Sequence, residues 1–95
     1  MENFDIVNRP SHYCEGRTYE PIEVIRDWDL NFNLGNVVKY ISRVGRKDDS
    51  LQELKKARVY LNHEIKYIEK KRENLKDTLK LLSTVAINNE NVEEK

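Results

Sequence analysis

Ninety-five residues allow one domain at most, and a chain this short buries so small a core that self-association is an expected source of extra stability. Charged residues make up 36% of the chain at zero formal net charge. The zero hides three segments: residues 1–38 carry three Lys/Arg against seven Asp/Glu, residues 39–80 carry thirteen against seven, and residues 81–95 carry one against three. A basic centre between acidic flanks argues against a uniformly cationic nucleic-acid binder. It points to an anionic small ligand, or to a subunit that packs its basic part on a neighbour's acidic part.

Residues 1–19 show no sustained periodicity and read as an ordered arm or loop, with Cys14 an ordinary small side chain in it. One cysteine makes no internal disulfide, and there is no secretory or membrane-length apolar run, so the expected location is the cytoplasm. Pro21 suits the first turn of a helix, where its missing N–H costs nothing. Ile22, Val24, Ile25 and Trp28 then predict a short, partly buried helix that stops near Asp29.

A second helix follows, capped by Asn31 or Asn33, with an apolar stripe of Leu34, Val37, Val38, Ile41 and Val44. Its other side presents Asn36, Lys39, Tyr40 and Arg43, and beyond the glycine come Arg46 and Lys47. Cations, an amide and an aromatic ring presented together suit a phosphate or nucleotide site, although many charged stripes are solvated surface. Gly45 can take the left-handed conformation that ends this helix. Ser50 with Glu53 three residues on reads as a capping box, so a third helix starts there.

That helix carries a heptad seam. Leu54, Leu61, Ile68, Leu75 and Leu82 recur every seven residues, with Leu51, Ile65 and Leu79 three residues earlier in the repeat and Arg58 and Arg72 interrupting that companion row. A helix of roughly thirty residues is about 45 Å long, more than two short helices can cover. The far half is therefore expected to pack on another subunit, with residues 88–95 a frayed polar tail and residues 20–87 the helical domain.

Other chemistries find little support. There is no Gly-rich loop ending in Lys-Ser/Thr, no Cys/His cluster with metal spacing, and no serine with an evident base and orienting acid. Glu20, Glu23 and Asp27 share one helix face and, with Asp48 and Asp49, could hold Mg2+ in a nucleotide pyrophosphohydrolase. Otherwise they are favourable charges near a helix start. His12 is a candidate acid/base or stacking group, or else a packing residue. Tyr40, Tyr60 and Tyr67 are candidate stacking rings, or else the edge of the core.

The ordered series Asn8-Arg9-Pro10-Ser11-His12-Tyr13, Glu20-Pro21-Ile22-Glu23-Val24-Ile25, Phe32-Asn33-Leu34-Gly35-Asn36-Val37-Val38-Lys39-Tyr40-Ile41-Ser42-Arg43, Leu54-Lys55-Lys56-Ala57 and Tyr60-Leu61 resembles a small phage and prophage domain of unknown function. That domain is often labelled a nucleotide kinase, because a coliphage enzyme acting on deoxynucleoside monophosphates contains a similar segment. The likeness runs from about Asn8 to Ile68. It implies a phage origin and a connection to nucleotides, and it directs attention to His12, Tyr13, Asn33, Gly35, Asn36, Lys39, Tyr40, Arg43, Lys55 and Lys56.

The resulting expectation is an all-α, homo-oligomeric phage protein, acting in the cytoplasm of an infected host. It binds a phosphorylated nucleotide or nucleotide-derived signal between the arm, the second helix and the start of the third, without cofactor, and withdraws it from host defence. Lys39, Arg43, Arg46, Lys47, Lys55 and Lys56 are the phosphate candidates, with Asn36 hydrogen-bonding and His12, Tyr13, Asn33 and Tyr40 meeting the base. The alternatives are a monophosphate kinase or Mg2+-dependent hydrolase and, less favoured, a nucleic-acid-binding module.

Overall fold

A computed structural model describes residues 10–47 and 49–93, with side chains placed through residue 88. Asn8, Arg9, Asp48 and the last two tail residues lie outside this set. The described residues form helices and connecting turns with no strand: α1 (Ser11–Cys14), α2 (Pro21–Asp27), α3 (Phe32–Ser42) and α4 (Ser50–Glu93). The all-α reading of the sequence therefore holds, with short helices followed by one long C-terminal helix. Two features differ from the sequence reading: one turn of helix, α1, lies within the expected arm, and α4 carries helical backbone through residues 88–93, the stretch assigned to a frayed tail. None of the described helices is long and apolar enough to cross a membrane.

The chain divides into two compact units, residues 1–64 and residues 65–95. In the first, Pro21 occupies the opening turn of α2 and Asp29, at φ 54°, turns the chain toward α3. Asn31, rather than Asn33, caps α3: its side-chain oxygen accepts from the Leu34 N–H at 2.9 Å. Gly35 lets α2 and α3 approach closely, since a Cβ there would stand 3.3 Å from Ile25 Cγ2. After Ser42 the chain turns through Gly45 at φ 78°, the left-handed conformation expected there.

The capping box is not formed. Asp49 takes the capping role, accepting from the Leu51 N–H at 3.1 Å, while the Ser50 hydroxyl accepts from the Gly45 N–H at 3.0 Å. Glu53 turns inward instead and is fully buried. The inner face of α4 in this unit carries Glu53, Ala57 and Glu64, which are buried, with Lys56 and Tyr60 half-buried. Leu51, Leu54 and Leu61 lie off that face and stay 43–57% exposed. Among the described residues Cys14, Pro21, Gly35 and Ala57 are the buried apolar ones. With so little apolar core, hydrogen bonds and ion pairs carry an unusual share of the organisation of this unit.

The second unit is the remainder of α4. Ile65, Ile68, Leu75, Leu79 and Leu82 are each 42–59% exposed along it, and the Lys71 ammonium lies 5.3 Å from the Tyr67 ring centre.

Candidate functional site

A groove of about 500 Å3 opens between the N-terminal segment, α2 and α3. Pro10, Tyr13, Pro21, Ile22, Ile25, Leu30 and Phe32 make it mainly apolar, while Glu20, Asn31, Asn36 and Lys39 bring polar groups to it. Gly35 forms part of the wall, so the residue that permits close helix packing also leaves room for an occupant. A concave, mostly apolar site with a few polar groups is the usual form of a small-molecule pocket. Of the residues singled out from sequence, Tyr13, Glu20, Gly35, Asn36 and Lys39 meet here.

Next to the groove lies a cluster centred on Tyr40. The Lys39 ammonium and Arg43 guanidinium each lie 5.3 Å from the Tyr40 ring centre, and the Lys56 ammonium lies at 5.6 Å. Among the described residues the Glu53 carboxylate pairs with two of these cations, lying 3.3 Å from Arg43 Nε and 3.8 Å from Lys56 Nζ. Lys39 belongs to both the cluster and the groove wall. Tyr40 stacks on Tyr60 at 5.7 Å with planes 17° apart, and Phe32 meets Tyr60 edge-on at 5.9 Å. One face of Tyr40 is thus used within the protein, whereas Tyr13 borders the groove.

Arg43 departs most from its expected place. It is 7% exposed and paired with Glu53, so it joins α3 to α4 rather than presenting a fork to solvent. The inward side of α3 runs through Gly35, Ser42 and Arg43, whereas Ile41, expected on the apolar stripe, is 53% exposed. Asn33 is likewise committed: its amide donates to Glu64 Oε1 at 3.2 Å, and the Asn31 amide donates to Oε2 at 3.0 Å. Asn36 donates to the Phe32 carbonyl of its own helix at 2.8 Å, which steadies it on the groove wall.

The remaining candidates are dispersed. His12 and Tyr13 lie ring to ring at 4.1 Å on α1, but His12 borders a separate cleft of about 310 Å3 with Ser11, Glu15, Gly45 and Arg46. Lys47 and Lys55 are exposed, and Tyr67 is over half exposed in the second unit. Glu20 borders the groove, whereas Glu23 and Asp27 border a hollow beside Tyr19 and Trp28, and Asp49 caps α4. Among the described residues no three His, Cys, Asp or Glu side chains gather where they could hold a metal ion; Asp48, part of the alternative carboxylate set with Glu20, Glu23, Asp27 and Asp49, lies outside those residues.

Several structurally important groups carry little signal in the sequence. Glu53 and Glu64 stand eleven residues apart, three turns of one helix, on the same face as Ala57. That spacing marks a second stripe beside the heptad seam. Arg17 Nη2 donates to the Ser42 carbonyl, and burial, followed by repulsion from Arg46, lowers the pKa of its guanidinium from the ordinary value.

The family model for a protein of unknown function, DUF3310, matches residues 7–62. The chain belongs to this family. The matched stretch includes every residue lining the groove and the whole Tyr40 cluster. No curated protein and no solved structure matches the chain.

Proposed function

We propose that this member of the DUF3310 family binds a phosphorylated nucleotide or nucleotide-derived molecule in the groove between the N-terminal segment, α2 and α3. The observation that carries the reading is the approximately 500 Å3 apolar groove with Lys39 on its wall, next to the cations gathered around Tyr40. Pro21, Ile22, Ile25 and Leu30 offer the base an apolar floor, and Tyr13 offers a ring to stack on. Asn36 supplies a polar contact and Lys39 the phosphate cation. Compared with the sequence expectation, Lys39 carries this role without Arg43, whose charge is engaged by Glu53. The resemblance to phage and prophage domains extends the proposal: in an infected host the protein sequesters a nucleotide signal. The kinase and hydrolase alternatives predict turnover in the same groove.

Mass spectrometry of small molecules released from the purified protein identifies the bound nucleotide. Calorimetry with that compound then tests the site: Lys39→Ala weakens binding by about one to two orders of magnitude, the effect of losing one charged hydrogen bond. Product formation from nucleoside mono- or triphosphates with Mg2+ supports the enzyme alternatives instead. Equal affinity of Lys39→Ala, Tyr13→Ala and the unmodified protein overturns the groove as the site.

A further inference from the structure

The second unit, residues 65–95, has an apolar stripe and no other element of the chain within the unit to cover it. Its occupant can be argued from charge, independently of the nucleotide reading. In the heptad register Ile65, Arg72 and Leu79 hold one core position and Ile68, Leu75 and Leu82 the other, with Glu69 and Lys76 on one flank and Lys71 on the other. A parallel, in-register pair of such helices sets Arg72 against Arg72 in the core and Lys71 against Lys76 along the flank. Both contacts are repulsive.

An antiparallel pair moves the two Arg72 into neighbouring layers and removes the contact between Lys71 and Lys76. Ile65 of one copy then faces Leu82 of the other, Ile68 faces Leu79, and Arg72 faces Leu75, so every layer contains an aliphatic side chain. The same alignment places Glu69 against Lys76 of the second copy, twice per pair by symmetry. We infer that a second copy of this chain docks antiparallel on the exposed stripe of residues 65–82, its orientation and register chosen by the reciprocal Glu69–Lys76 contacts. These residues are exposed in the single chain, so the contacts form without unfolding either copy.

Sedimentation of the full chain tests the pairing and its sense together. Glu69→Lys and Lys76→Glu should each weaken the dimer about tenfold, because two attractive pairs become repulsive in each case. The exchanged double variant Glu69→Lys/Lys76→Glu should return to within about threefold of the unmodified protein. A parallel dimer predicts the opposite for Lys76→Glu, which would then face Lys71 and tighten the pair. Far-ultraviolet circular dichroism on each variant establishes that helix content is retained. A spin label at Ser83→Cys supplies a readout free of charge effects, with buried Cys14 protected from labelling. The antiparallel register separates the two labels by ~30 Å along the axis, and a parallel pair holds them about one interhelical spacing, roughly 10 Å, apart. A monomer at all concentrations, tightening by Lys76→Glu or the short label distance overturns the inference.

Discussion

Replacing Arg43 tests the central link of the first unit. Glu53 has no solvent exposure, and its charged partners are Arg43, nearly as deeply buried, and Lys56, whose side chain is 38% exposed. Arg43→Ala leaves the carboxylate in a dry site where, among the described residues, its remaining ion pair is the longer 3.8 Å contact to Lys56. Removing one partner of a buried ion pair costs about 3–5 kcal/mol, because desolvation of the remaining charge is no longer offset. In a domain of this size each kcal/mol lowers the melting temperature by about 4–8 °C, so the midpoint should fall by at least about 12 °C. Glu53→Leu combined with Arg43→Leu removes both charges and should recover most of that loss. Thermal and urea unfolding followed by circular dichroism measures Arg43→Ala beside Arg43→Leu, Glu53→Leu and their combination, the last three closing a double-mutant cycle with the unmodified protein. A loss below about 1 kcal/mol for Arg43→Ala, accompanied by a large drop in nucleotide affinity, would refute this assignment and return Arg43 to the ligand site.

Three further outcomes are expected. Gly35→Ala should change stability by less than about 1 kcal/mol, since the gain in helix propensity opposes a 3.3 Å contact with a half-exposed Ile25 that can yield; Gly35→Val should cost about 1–3 kcal/mol by overpacking, and denaturant midpoints compare the two. Asn31→Ala should destabilise more than Asn33→Ala, because Asn31 both caps α3 and donates to Glu64 whereas Asn33 does only the latter; the extra cost should be about 1 kcal/mol, and equal losses in urea titrations would contradict it. Glu64→Gln should cost about 2 kcal/mol in thermal unfolding, as one of two amide donors then meets another donor in place of a carboxylate oxygen.

Local chemistry made the helices legible in the chain itself. Pro21 starts α2 because proline fits the first turn, Gly45 turns the chain after α3 because glycine adopts positive φ, and the unbroken run after Ser50 continues as α4. Those constraints act within a few residues, so the sequence alone specifies them. The heptad leucines were legible for the same reason, since a seven-residue repeat fixes one helix stripe. Which side chain opposes which across elements depends on how the helices pack, and spacing along one helix does not encode that. Lys39 and Arg43 share a helix face four residues apart, yet α4 sets Glu53 beside Arg43 and leaves Lys39 on the groove wall. Glu53 itself reads locally as half of a capping box, but burial beside Arg43 and Lys56 overrides that short-range preference. Asn31 prevails over Asn33 as the cap because its oxygen reaches the Leu34 N–H while its amide still reaches Glu64, thirty-three residues away. The sequence thus determined where α2, α3 and α4 begin and which residues share a helix face, and only the packing of α4 on the short helices decided which charges pair inside the protein and which stay on the groove wall.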